Sequence, residues 1–203
     1  PGTLEPITLQ QLPKVHCATD RQRVLQVVAH EDDDLLFMSP DLVHSIHAQD
    51  CIQSVYMTSG DAGSARQYWM NRENGIMAAY ATMLGTPQVT WVQSIVKMPG
   101  GTYVMFANPK GNRQLSLIFM RLPDGSIGGG GFRQYNHESL SRLYNGRLVK
   151  VHSVDAQSEY TSDTLKSSLT HIMTAFEPTQ LRILKRESGS RHSSYDHNDH
   201  DFS

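Results

Sequence analysis

RVLQVVAHEDDDLLF, residues Arg23–Phe37, joins an apolar run to an acidic one. Its first half, RVLQVVAH (Arg23–His30), is β-branched and apolar with almost no alternation, the pattern of a strand covered on both faces. Its second half sets four acids in a row, Glu31–Asp34, directly behind that strand. Adjacent carboxylates repel one another and tolerate burial badly. Two readings are therefore open: a solvated acidic turn, or a cluster with a cation among its members.

Outward from this stretch, strand and helix patterns alternate. Pro40 and Asp41 stand at a helix start, with Leu42, Val43 and Ile46 behind them at helical spacing. CIQSVYMTSG (Cys51–Gly60) reads as a second strand running into the loop Gly60–Gly63. SARQYWMNRENGIMAAYATMLG (Ser64–Gly85) reads as a long helix with Tyr68, Trp69, Ile76, Ala79, Tyr80 and Met83 as its apolar stripe and Gly85 at its end. Further strands are expected over Gln88–Lys97, Thr102–Asn108, Gln114–Leu122 and Leu181–Lys185, with helices over Ser139–Gly146 and Ser162–Phe176. GSIGGGGF (Gly125–Phe132) opens no helix carrying Lys-Ser/Thr, so it reads as a surface loop near the site and not as a phosphate cradle. The alternation predicts an α/β sandwich with a largely parallel sheet flanked by helices, as a single domain over 1–203.

Bulk properties bound the partners. Of 203 residues, 38% are hydrophobic and 19% charged, with a net charge of −2, which describes a globular domain and leaves no electrostatic footprint for nucleic acid. No apolar run approaches the roughly 18 residues of a membrane span. The first residue is Pro1, so a signal peptide is expected to have been removed or to lie outside this sequence. The two cysteines, Cys17 and Cys51, each lie shortly upstream of an apolar run. If those runs are neighbouring parallel strands, their starts lie about 5 Å apart, near what a disulfide needs, and a bridge would stabilise by about 3–4 kcal/mol. Two free thiols remain the alternative.

In open α/β sheets, ligands bind beyond the carboxyl ends of the strands. Three segments project polar residues from such ends: His30–Asp34, Thr58–Gly63 and Arg191–His200. The first and third are rich in metal-binding groups, His30, Asp32, Asp33 and Asp34 against His192, Asp196, His197, Asp199 and His200. A mixed imidazole and carboxylate set suits zinc or another first-row dication, and three protein ligands leave a position for water. Each element also has a bland reading: a hydrogen-bonded surface histidine, or a polar terminus. His44 and His47, at i, i+3 in a mostly apolar helix, read as a solvated pair and form the rival ligand source.

His30-Glu31-Asp32-Asp33 resembles the His-Pro-Asp-Asp signature of the PIG-L/LmbE-like zinc-dependent de-N-acetylases, and His197-Asn198-Asp199-His200 resembles the His-Pro-Asp-His signature that closes the same site. Thr58-Ser59-Gly60-Asp61 and Arg72-Glu73 fall in the family's order, so the likeness runs from Arg23 to His200. It implies a Rossmann-like three-layer sandwich and one zinc ion per chain on His30, Asp33 and His200. Asp32 is then the general base toward the attacking water, and His197 the group that stabilises the oxyanion, with Asp199 holding its ring. Tyr195 stands where some members place a mobile tyrosine, and Arg72 is a candidate for hydrogen bonding to sugar hydroxyls. The implied substrate is an N-acetylglucosamine-type sugar in a glycoconjugate or polysaccharide.

The departures carry their own expectations. Glu31 and Asn198 replace the two prolines of the motifs; neither position supplies a ligand, and Glu31 is expected as an outward turn residue. Asp34, where many relatives carry glutamate, is expected to support the site and not to bind metal. The chain stops at Ser203, where relatives continue, so a fragment, a proteolysed form and a minimal version all stay open. The phrasing around AHEDDDLLFMSPDL and SVYMTSGDAG, with Cys17 and Cys51 before the strands, looks most like exported members, which implies a secreted or extracytoplasmic protein with one disulfide, the cytoplasm being the alternative. Two rival functions remain: an amidase acting on a larger acyl or thiol conjugate, and a non-catalytic carbohydrate-binding module with a structural metal.

Overall fold

Strand β3 (Cys51–Thr58) is buried at every position, and β2 (Arg23–Val28) from Val24 onward, so both must lie inside a sheet covered on its two faces. The computed structural model, which describes residues 5–12, 15–184 and 199–200, places them side by side and parallel, with Arg23 opposite Cys51. The remaining strands are β1 (Ile7–Thr8), β4 (Trp91–Lys97), β5 (Tyr103–Pro109), β6 (Leu115–Leu122) and β9 (Gln180–Ile183), giving a seven-stranded sheet ordered β1-β4-β5-β6-β3-β2-β9. Pairings β1–β4, β3–β6, β2–β3 and β2–β9 are parallel, whereas β5 runs antiparallel to both of its neighbours. The fold is the expected α/β, Rossmann-like sandwich.

Alternate residues of the central strands feed two cores. Leu25, Val27, Val55, Met57, Ile118 and Met120 face α4 (Leu140–Tyr144) and α5 (Ser162–Phe176), meeting Leu143, Leu165, Ile172 and Phe176. Val24, Val28, Ile52, Tyr56, Leu117 and Phe119 face the other way, against Leu42 and Ile46 of α2 (Asp41–His47) and Ile76, Met77 and Tyr80 of α3 (Arg66–Met83). Each fully buried aliphatic or aromatic side chain is worth about 1.5–3 kcal/mol. The stability therefore sits in β2, β3 and β6, and the loops at their carboxyl ends hang from rigid supports.

Local chemistry explains most boundaries. Helix α5 begins behind Thr161, whose hydroxyl accepts the Thr164 N–H, and stops at Glu177 in a left-handed conformation just before Pro178. Gly85, at φ +70°, ends α3. Three details differ from expectation. Strand β4 starts at Trp91, three residues later than Gln88. The acidic turn winds into a short helix α1 (Asp33–Phe37), where the free N–H groups of its first turn favour Asp33 and Asp34. The buried stripe of α3 contains Glu73 and Met77, while Tyr68 is 44% exposed.

A separate two-stranded ribbon is formed by β7 (Val151–His152) and β8 (Glu159–Tyr160). Cys17 and Cys51 form a disulfide with Cα atoms 5.7 Å apart, tying the segment before β2 to the start of β3. Among the described residues, no helix is long and apolar enough to cross a membrane.

Candidate active site

The loops leaving β2, β3 and β6 meet at one edge of the sheet. Asp33 is anchored first: its Oδ2 accepts the His30 backbone N–H at 2.7 Å, closing the turn between β2 and α1. His30 Nδ1 lies 3.7 Å from Asp33 Oδ2, and His200 Nε2 lies 3.2 Å from Asp33 Oδ1. The His30 and His200 rings meet edge to face at 5.3 Å, with Phe37 against the His200 ring. His30, Asp33 and His200 thus each offer one ligand atom within 4.8 Å of the others, His30 and Asp33 buried and His200 partly so. Residues 170 positions apart in the chain converge on the same point.

The other nitrogen of His30 faces the closing motif. His30 Nε2 lies 3.5 Å from Asp199 Oδ2, which also accepts the Gly125 N–H at 2.7 Å. A Cβ at residue 125 would collide with the Asp199 carboxylate, so the first residue of the glycine-rich loop has to be glycine for this contact to form. Carboxylates behind a ligating histidine fix its tautomer and orientation. Asp124 belongs to a second grouping with His30 and Asp199 and is not among the candidates read from sequence. Its Oδ1 accepts the Ser126 N–H at 2.7 Å and its Oδ2 the Ala62 N–H at 3.2 Å. The usable signal was its place: Leu122-Pro123-Asp124 follows a strand end as His30 does. Asp61, fully buried, accepts the Asp124 N–H at 2.7 Å and the Gly63 N–H at 2.8 Å, lashing the β3 loop to the β6 loop.

Electrostatics at this edge favour a positive centre. Burial alone would lower the His30 pKa, but Asp199 and Asp33 outweigh it and raise it to about 10. Burial would likewise raise Asp33, and His200 and His30 instead hold it well below the usual carboxylate range. A proton on His30 thus fills the role that a dication fills in a metal site. The donor set of two imidazoles and a carboxylate fits zinc.

The four acids have four different fates. Asp33 joins His30 and His200 in a group that could hold a metal ion. The Asp32 side chain is 51% exposed, and its Oδ1 accepts from Arg72 Nη2 at 2.7 Å. Asp34 turns away into the core, where burial raises its pKa to about 6 against the hydrogen bonds donated by Tyr80 and Tyr56, at 2.6 and 2.7 Å. Glu31 overturns the outward-turn expectation: it is 4% exposed and pairs with Arg72 Nε at 3.1 Å. The expectation failed because the charge that permits its burial comes from α3, far along the chain. Arg72 thereby spends two of its donors on carboxylates.

His44 and His47 lie on the exposed side of α2, outside both groupings. Tyr195 and His197, expected at the oxyanion, lie outside the described residues, as do His192 and Asp196.

No curated protein and no solved structure matches the chain. A family model, PIG-L, described as GlcNAc-PI de-N-acetylase, matches residues 25–203, from within β2 through both motifs. Members are deacetylase-type hydrolases that act on acetylated sugars and are typically zinc-dependent. With nearly the whole chain under that match, and with His30, Asp33, Asp199 and His200 meeting at one sheet edge, the chain belongs to the PIG-L family.

Proposed function

We propose that the protein is a metal-dependent hydrolase that removes the N-acetyl group from an N-acetylglucosamine-type sugar in a glycoconjugate or polysaccharide. The observation that carries this reading is the approach of His30, Asp33 and His200 within 4.8 Å beside a half-exposed carboxylate, Asp32. His30, Asp33 and His200 would hold one zinc ion. When bound, zinc supplies a Lewis acid for the amide oxygen and brings the pKa of water toward about 7.

The chain's own groups do the rest. Asp32 takes a proton as the water oxygen bonds to the acetamide carbon. It returns that proton to the sugar nitrogen as the C–N bond breaks, so acetate and a free amine leave. Asp199 keeps the His30 ring oriented through Nε2. His197, with Tyr195, is assigned to the oxyanion of the tetrahedral intermediate, where hydrogen-bond donors act most strongly. The Cys17–Cys51 disulfide supports an extracytoplasmic setting.

The test is acetate release by the zinc-loaded protein from N-acetylglucosamine glycosides and oligosaccharides, with bulky N-acyl analogues in parallel. Asp32→Asn is expected to keep its metal and lose about 10²–10⁴ in kcat. No release from any N-acetylhexosamine removes the reading, and near-normal turnover in Asp32→Asn removes Asp32 as the base. Faster cleavage of bulky acyl groups would reassign the substrate to a larger acyl conjugate.

A further inference from the structure

We propose that Glu31 is a positioning residue for this reaction, fixing the carboxylate of Asp32 through the guanidinium of Arg72. The inference rests on the reading of Asp32 given under Proposed function and starts from a departure. Where the family motif has proline, this chain carries a carboxylate, and it is buried, with its side chain 2% exposed. A buried carboxyl group needs a fixed hydrogen-bond partner, and burial pushes the Glu31 pKa up to about 8 even with Arg72 beside it. A residue that only shapes the turn would not need a buried carboxyl group.

The partner is Arg72, presented by α3, whose neighbouring positions Trp69, Glu73 and Ile76 are buried and hold the helix still. Arg72 Nε meets Glu31 Oε2 at 3.1 Å, and Arg72 Nη2 meets Asp32 Oδ1 at 2.7 Å. Because the guanidinium is planar and rigid, pinning Nε sets the direction of Nη2. Gly60, at φ +49°, closes the third side: a Cβ there would lie 2.6 Å from Arg72 Nε and 2.8 Å from Glu31 Oε2. The loop after β3 therefore walls in the pair with bare backbone.

Asp32 is the exposed end of this chain of contacts. A side chain 51% exposed has little packing of its own to hold its rotamer. With Oδ1 engaged by Arg72, Oδ2 is left as the proton-accepting oxygen, facing a constant direction. Glu31 acts at one remove: it touches neither substrate nor reacting atoms. Its loss should lower the rate of the chemical step without weakening substrate binding. If Arg72 served instead to hold sugar hydroxyls, losing its anchor would raise KM.

The experiment uses the full zinc-loaded chain and four proteins: wild type, Glu31→Gln, Asp32→Asn and the double variant. Glutamine keeps the volume of Glu31 and replaces one carboxyl oxygen with a donor amide. Glu31→Gln should lower kcat about 10- to 100-fold with KM within about twofold, at unchanged metal stoichiometry and chelator-competition affinity. In the Asp32→Asn background it should have no further effect on kcat, since the group it positions is gone. A second readout needs no metal and no turnover. In the metal-free protein, the ¹⁵N-edited Nε–H resonance of Arg72 should be exchange-protected in wild type and in Asp32→Asn, and lose that protection in Glu31→Gln.

Four results overturn the proposal: kcat within twofold of wild type in Glu31→Gln, an equal loss in both backgrounds, a rise in KM alone, or an Arg72 resonance indifferent to Glu31. If wild type releases no acetate at all, the reading of the site fails first. The Arg72 resonance still decides whether Glu31 is the tether.

Discussion

Two buried acidic clusters, one on helix α3 and one at the carboxyl ends of β2 and β6, are neutralised in opposite ways. On one side Glu73 receives both Nε and Nη2 of Arg121, at 2.6 and 2.7 Å, while Nη1 of the same guanidinium reaches Asp155 at 2.8 Å. Arg121 also lies over the Trp69 ring, 4.8 Å from its centroid. A register shift between Tyr56 and Thr58 opposite β6 leaves Arg121 at φ +60°, so the irregularity re-aims its side chain toward α3. At the strand ends, Asp33 and Asp199 face imidazoles, whose nitrogens can hold either a proton or a metal ion. A cation built into the chain makes a structural cluster. A cluster facing groups that can exchange a proton for a metal is one that can work.

The sharpest way to break this contrast is to take the exchangeable cation's ligand away. Asp33→Asn should reduce bound zinc to substoichiometric levels and bring acetate release to background, read by metal analysis of the dialysed protein. Its circular dichroism should stay native, because β2, β3 and β6 carry the core. A variant that still binds one ion per chain would show that the ligands are other than His30, Asp33 and His200.

The mirror-image experiment removes the built-in cation. Arg121→Met leaves Glu73 and Asp155 buried without their shared partner, which should cost about 3–5 kcal/mol. Denaturant titration reads the loss, and metal content per folded molecule should not change. If stability holds and zinc is lost instead, the two clusters are one network and the contrast collapses. Between these in kind is the Cys17–Cys51 bridge, which closes a sequence separation of 34. Cys17→Ser should lower stability by about 3–4 kcal/mol on the chain-entropy estimate, with turnover of the folded fraction unchanged.

What could be read from the sequence follows the same division. The strand end that carries His30 and Asp33 was legible because it is a local feature, and the parallel neighbours behind Cys17 and Cys51 were legible from two apolar runs. Glu31 and Glu73 were not. Each is an acid whose burial depends on a partner supplied by another element: Arg72 for Glu31, Arg121 for Glu73. Charged residues have no place in an apolar stripe read by periodicity, so Tyr68 is expected in the buried face of α3 and Glu73 is not, the reverse of what the helix shows. Pairing across tens of residues has no local signature.

Asp34 shows a third way to keep an acid buried, and it yields the smallest prediction. Here no cation is used. The hydroxyls of Tyr56 and Tyr80 both donate to Oδ2, at 2.7 and 2.6 Å, and Tyr80 is itself held by Ser54 at 2.7 Å, with Gln26 at 3.3 Å. Tyr80→Phe removes one donor while keeping the ring and its packing. The remaining Tyr56 hydroxyl still satisfies the carboxylate, so the cost should be about 1–2 kcal/mol, well below that of Arg121→Met. Metal stoichiometry and kcat should be unchanged, because Asp34 points into the core and not into the ligand group. Denaturation midpoints of Tyr80→Phe and Tyr56→Phe, measured beside acetate release, test this directly. A loss of turnover with little loss of stability would mean that the Asp34 anchor sets the geometry of Asp33 one residue away, and that the core-facing acid belongs to the working cluster after all.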